Sequence, residues 1–233
     1  MARPVVLLHG FAGTARHWDR VVDALEPGRV EPLALDLADA DPLTLDGVAA
    51  LVAARAPQRF ELAGYSMGGR AALHVALAMP ERVSRLVLIS ASAGLDDDLE
   101  RAARREADEA LAAAIETEGI EAFIASWREV PLFAGDPPEV RDAVARDERR
   151  STPRTLAASL RGLGPGAVEP MWGRLGELRM PVAILAGERD RRYVGLGQRL
   201  AGAIPGATLE IVPGAGHRLA LEAPAAVAAA LAR

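Results

Sequence analysis

Phe60-Glu61-Leu62-Ala63 runs directly into Gly64-Tyr65-Ser66-Met67-Gly68, and the residues through Met79 continue with helical composition. An apolar run, a glycine-flanked serine and then a helix is the strand–turn–helix setting in which a G-x-S-x-G pentapeptide presents a nucleophile. The residue types follow from geometry. The serine has to stand on a sharp turn with its hydroxyl above the edge of a sheet. Glycines on both sides allow the backbone crowding this demands. The N–H of Met67, next in the chain, then points to where negative charge would develop.

Working outward, short apolar runs alternate with helical patterns. Val5–Leu8, Val30–Leu37, Phe60–Ala63, Val83–Ser90, Met180–Ala186 and Thr208–Val212 read as buried strands. Thr14–Leu25, Leu43–Arg55, Ser66–Met79 and Pro224–Leu231 read as helices. This alternation predicts an α/β fold: a mostly parallel sheet with helices on both faces. Between residues 94 and 166 no strand is expected. Leu99–Glu118, Ile120–Val130 and Pro138–Arg150 are charge-rich helical patterns, which predicts a helical lid inserted into a core made of residues 1–93 and 167–233. Gly162-Leu163-Gly164-Pro165-Gly166 is read as the return hinge.

Composition removes several chemistries. The chain has 233 residues, enough for one domain or one domain with an insertion, and a net charge of −5, which argues against a nucleic-acid partner. It has no cysteine, so disulfides, thiolate metal sites and cysteine nucleophiles are excluded. All 27 basic residues are arginine, which excludes a Schiff-base lysine and a lysine-bearing phosphate loop. The four histidines form no metal motif, so no metal site is expected. No apolar run approaches the roughly 20 residues of a membrane span, and no signal segment is visible, so a cytoplasmic protein without a membrane or obligate protein partner is expected.

Two later segments complete a constellation with Ser66. Gly187-Glu188-Arg189-Asp190 places an acid after a strand, and Pro213-Gly214-Ala215-Gly216-His217 places a histidine after the next. His217 would accept the serine proton, and Asp190 would fix its tautomer, with Glu188 as the competing acid. His9-Gly10-Phe11 ends the first strand, so the Phe11 N–H joins that of Met67 as a candidate oxyanion donor. Of the other histidines, His9 is expected to support its loop, His74 to be structural and His17 to lie at the surface.

These segments resemble the α/β-hydrolase superfamily over nearly the whole chain. Within it, the sequence is similar to the 2-succinyl-6-hydroxy-2,4-cyclohexadiene-1-carboxylate synthases of menaquinone biosynthesis. That narrower likeness rests on Gly64–Arg70, Arg101–Asp108, Gly119–Phe133 and Leu160–Gly166, with Gly187–Asp190 and Gly214–His217. It implies a lyase without metal or organic cofactor, acting on a small polyanion. A carbon-bound proton is removed and pyruvate leaves as the ring becomes a diene. By motif position it implies substrate-binding roles for Arg70, Arg104 (with Arg105 as competitor), Tyr65 and Trp127. It also implies one more lid arginine among Arg146, Arg149 and Arg150. The residues agree in part. Arg70 lies one helical turn beyond Ser66, on the same face, and a guanidinium clamps a carboxylate with two hydrogen bonds.

The sequence departs from the superfamily in two places. It reaches the first strand without the usual antiparallel N-terminal strands. It also reads Ala38-Asp39-Ala40-Asp41 where a Pro-Gly-His-Gly type loop is common. Two other readings share these residues. One is a carboxylesterase or carbon–carbon bond hydrolase using the same triad. The other is a binding module that has kept the fold, though such modules usually lose a triad member.

Overall fold

The computed structural model describes residues 2–233. Six strands form one sheet: β1 (Arg3–Leu8), β2 (Val30–Leu35), β3 (Phe60–Tyr65), β4 (Val83–Ile89), β5 (Val182–Gly187) and β6 (Thr208–Val212). Every neighbouring pair is parallel, and the order is β2-β1-β3-β4-β5-β6. A parallel sheet covered on both faces buries both sides of each strand, so its strands read as continuous apolar runs. The two-residue period still sorts them. Val6 and Leu8 join one core with Leu62, Leu86 and Leu88, while Val5 and Leu7 join the other with Ala63, Val87 and Ile89. Fully burying one such side chain contributes about 1.5–3 kcal/mol.

The first core is covered by α2 (Leu45–Arg55), α3 (Met67–Ala78) and α8 (Arg191–Ala203), and the second by α1 (Asp19–Asp23), α9 (Leu219–Glu222) and α10 (Pro224–Ala232). The predicted helix Thr14–Leu25 is in fact a 3₁₀ turn, Ala15–Trp18, followed by the single short helix α1. Between β4 and β5 the chain forms α4 (Asp98–Glu118), α5 (Ile120–Arg128), α6 (Pro138–Glu148) and α7 (Pro153–Leu163). These carry their own apolar cluster, including Ala112, Ile115, Phe123, Ile124, Leu156 and Leu160.

Gly162 corrects the hinge reading. It lies inside α7, where a Cβ would sit 1.8 Å from the Leu43 carbonyl oxygen; at Gly166 a Cβ would meet the Arg105 nitrogen at 2.4 Å. Gly162 and Gly166 are thus close-packing contacts, and Gly162 belongs to a helix and not to a hinge loop. Among the described residues no helix is long and apolar enough to cross a membrane.

Candidate active site

From β1 the chain crosses to β2 on one side, then returns to β3 on the other side of β1. The carboxyl ends of β1 and β3 therefore flank a topological switch point, where open α/β sheets leave a crevice. Leu8 of β1 is in register with Gly64 of β3, so the loop after β1 and the turn after β3 emerge side by side.

Ser66 stands on that turn with φ +52° and ψ −110°. A non-glycine residue held there costs on the order of 1–3 kcal/mol. The flanking glycines show why the turn tolerates nothing larger. A Cβ on Gly64 would lie 2.3 Å from the Gly68 oxygen, and one on Gly68 would lie 2.3 Å from the oxygens of Leu8 and His9. The Ser66 hydroxyl donates to His217 Nε2 at 3.1 Å, and His217 Nδ1–H donates to Asp190 Oδ2 at 2.6 Å. Burial pushes the His217 pKa below its ordinary value, although the bond to Asp190 opposes the shift. Asp190 caps α8, accepting from the Tyr193 N–H at 3.2 Å. Glu188 is engaged elsewhere: its carboxylate accepts from the Gly214 N–H at 2.8 Å.

The His217 loop is braced by side chains that sequence reasoning missed. The nearly inaccessible Glu222 carboxylate accepts from the N–H groups of Gly216 (2.9 Å) and Arg218 (3.1 Å) and pairs with Arg189. Arg218 lies over the Phe133 ring at 3.9 Å and pairs with Asp136 at 2.9 Å, so it joins this loop to the helical insertion. Burial raises the Asp136 pKa to about 6 against the pull of Arg218. Residue type alone gave no signal for these roles, which arise from tertiary contacts.

Above the serine lies a cavity of about 970 Å³, lined by both the sheet end and the insertion. It brings together Phe11, Tyr65, Ser66, Met67, Arg70, Arg104, Trp127, Asp190 and His217. Arg70 is buried, and its Nη2 donates to the Leu163 carbonyl at 2.6 Å. Among the described residues no carboxylate lies within 4.0 Å of it, and Asp108, which pairs with Arg104, acts on it only from farther away. Burial lowers its pKa to about 10, which leaves it charged at neutral pH. The half-exposed Arg104 is held through Nε by Asp108 at 2.8 Å. Trp127 packs on Phe11, Phe123 and Phe133 with ring centroids 5.2–5.6 Å apart.

Arg146 and Arg150 line the cavity, whereas Arg149 pairs with Glu121 on the surface at 2.7 Å. His17 is buried, contrary to the surface placement expected for it. Its ring stacks on Tyr65 at 4.8 Å, and burial holds its pKa down at about 3, so it stays neutral. His9 supports its loop, with Nδ1 bonded to the Gly10 oxygen (2.8 Å) and Nε2 accepting from the Leu37 N–H (3.0 Å). His74 bonds Asp46 at 2.8 Å on the α2–α3 side of the molecule.

Residues 5–230 match the alpha/beta hydrolase family. The chain belongs to that family. Within this family it is 34% identical to a Bacillus subtilis (strain 168) protein provisionally named 2-succinyl-6-hydroxy-2,4-cyclohexadiene-1-carboxylate synthase, over 94% of this chain and 85% of the relative. A synthase of the same name from Klebsiella pneumoniae is 32% identical over 98% of this chain and 92% of its own. Among solved structures, MenH from S. aureus superposes with a TM-score of 0.91 at 27% identity, covering 98% of this chain and 91% of that one.

Proposed function

We propose that this alpha/beta hydrolase is a carbon–oxygen lyase. It eliminates pyruvate from 2-succinyl-5-enolpyruvyl-6-hydroxy-3-cyclohexene-1-carboxylate to give 2-succinyl-6-hydroxy-2,4-cyclohexadiene-1-carboxylate. The observation that carries this reading is Arg70. A guanidinium buried one helical turn from Ser66, without a carboxylate partner, is costly unless an anion completes it. A neutral ester offers no such anion; the polyanionic lyase substrate does. The synthase relatives at 32–34% identity support the same choice.

In this reading Ser66 and His217 act together as the base. The serine oxygen takes the ring proton next to the succinyl carbonyl as its own proton passes to His217. Asp190 holds the imidazole with Nδ1 protonated and stabilises the imidazolium that forms. The electron pair moves onto the succinyl carbonyl oxygen, which the N–H groups of Phe11 and Met67 receive; one such donor is worth about 2.7–4 kcal/mol in the transition state. Collapse of the enolate forms a double bond between C2 and C3, moves the ring double bond from C3–C4 to C4–C5 and breaks the C5–oxygen bond. The departing enolate takes a proton at its methylene carbon from the His217 imidazolium, directly or through water, and becomes pyruvate, which returns His217 to its neutral form. Arg70 and Arg104 hold substrate carboxylates, Tyr65 and Trp127 shape the walls, and the helices of residues 94–166 serve as the lid.

The test is turnover of the pathway substrate, read by coupled pyruvate detection and by the change in diene absorbance, with hydroxylamine present as an acyl trap. Pyruvate and diene should appear together, and nitrophenyl esters should turn over slowly at most. Rapid ester turnover with a trapped acyl group and no pyruvate would establish an esterase instead.

A further inference from the structure

The loop that carries Phe11 is held by two parts of the molecule. On the sheet side, His9 and the Gly13 N–H to Gly10 carbonyl bond (3.2 Å) fold it back on β1. On the insertion side, Ala12 is buried in the cluster that contains Ala145, Phe123 and Leu156, and Phe11 meets the rings of Phe123 and Trp127 edge-on. Ala12 has φ +60°, a conformation an alanine keeps only when its surroundings impose it.

The polar part of this grip is one side chain. Asp147, near the end of α6, accepts from the Thr14 N–H through Oδ2 at 2.9 Å and from the Thr14 hydroxyl through Oδ1 at 2.5 Å. Its side chain is largely buried, at 13% exposure; both oxygens bond Thr14, and Arg150 Nε lies 3.9 Å from Oδ1. Thr14 in turn caps the 3₁₀ turn at Ala15–Trp18, accepting from the Arg16 N–H at 3.3 Å.

We propose that Asp147 is a positioning residue that makes closure of the insertion and alignment of the Phe11 N–H a single event. It touches no reacting atom. It acts through Thr14, three residues from the donor, and its grip is present only while α6 sits on the loop. Substrate bound under the insertion would therefore meet a completed donor pair, and an open insertion would leave the loop held from the sheet side alone. The proposal rests on the lyase reading and on Phe11 as oxyanion donor.

Asp147→Ala removes both hydrogen bonds and should lower kcat for pyruvate release by about 10–100-fold, the range expected when a donor is displaced rather than deleted. KM should stay within about threefold, because the lost interaction is one made in the transition state. Asp147→Asn still offers an acceptor to the N–H and a group for the hydroxyl, and should retain most of kcat. Thr14→Val should lower kcat, and its effect should not add to that of Asp147→Ala. Backbone amide exchange gives a readout that needs no turnover: exchange in residues 10–14 should accelerate in Asp147→Ala while that of β3 and β4 is unchanged.

Wild-type turnover is measured first. If wild type releases no pyruvate, the lyase reading falls while amide exchange still reads the clamp. If Asp147→Ala does not fold, Asp147→Asn and Thr14→Val decide the matter. A folded Asp147→Ala with wild-type kcat, a rise in KM alone, an Asp147→Asn as impaired as Asp147→Ala, or unchanged exchange at residues 10–14 each overturns the proposal.

Discussion

At Ser66 local packing overrides conformational preference. The residue sits at φ +52°, and the energy that holds it there comes from the packed glycines on either side. Ser66→Ala keeps that backbone and loses only the hydroxyl, so it should fold with a similar melting temperature and lose about 10⁴-fold or more in pyruvate release. Asp190→Asn should be nearly as severe, whereas Glu188→Gln should retain activity, because Glu188 is bonded to Gly214 and Asp190 to His217. The reverse outcome would move the acid to Glu188. As the proposed base, His217 must be neutral to act, and burial lowers its pKa. The acid limb of kcat/KM in the free enzyme should thus lie below the ordinary histidine value of about 6.5; a limb centred above 7 would contradict it. That Ser66, Asp190 and His217 would meet was legible in the sequence because each follows a strand, and hydrogen bonds join the three. His17 was not: nothing local distinguishes a surface histidine from one stacked on Tyr65, and the stacking partner lies 48 positions away.

Elements were legible where burial is continuous and obscure where glycine dilutes the pattern. All six strands were visible as apolar runs, since a doubly covered parallel sheet leaves no polar face. Helix α8 went unread because Gly195, Gly197 and Gly202 depress its helix propensity. Helix α7 was hidden behind Pro153 and by Gly162, which read as a hinge. The surroundings of two glycines predict opposite outcomes for the same substitution. Gly162→Ala would drive a methyl into the Leu43 carbonyl, at the contact between α7 and the segment leading into α2. Such overpacking costs about 1–3 kcal/mol, which lowers the melting temperature by several degrees in a chain of this size. At Gly202, in the last turn of α8, an added methyl would meet nothing within 4 Å. Gly202→Ala should therefore stabilise by up to about 1 kcal/mol. Scanning calorimetry of the two variants checks both signs, and a neutral Gly162→Ala would show that the Leu43 carbonyl gives way to the methyl.

For the whole molecule, net charge misleads about the site. The chain carries −5, yet nine arginines line the cavity against six carboxylates, and burial lifts the pKa of one of these, Glu148, to about 7. Sequence composition cannot show this separation, because it arises when the insertion folds over the sheet edge and brings Arg104, Arg146 and Arg150 to the same cavity as Arg70. A polyanion approaching the molecule is repelled at long range and attracted near the mouth. Exposed charges are screened within about 8–10 Å at physiological salt, while a buried guanidinium is screened much less. Two contributions should then separate experimentally. Raising salt from about 20 to 300 mM should lower kcat/KM for the lyase substrate by several-fold to about tenfold, as expected for a focusing cationic mouth. Turnover of a neutral nitrophenyl ester, however slow, should be nearly flat over the same range. Replacing the exposed Arg146 and Arg192 by glutamine should reduce the salt slope while sparing turnover at high salt. Arg70→Ala should do the opposite, costing about 10–150-fold at every salt concentration because a charge-assisted bond is lost inside the cavity. If kcat/KM for the polyanion instead rises with salt, the overall negative charge governs approach and the arginine mouth does not steer.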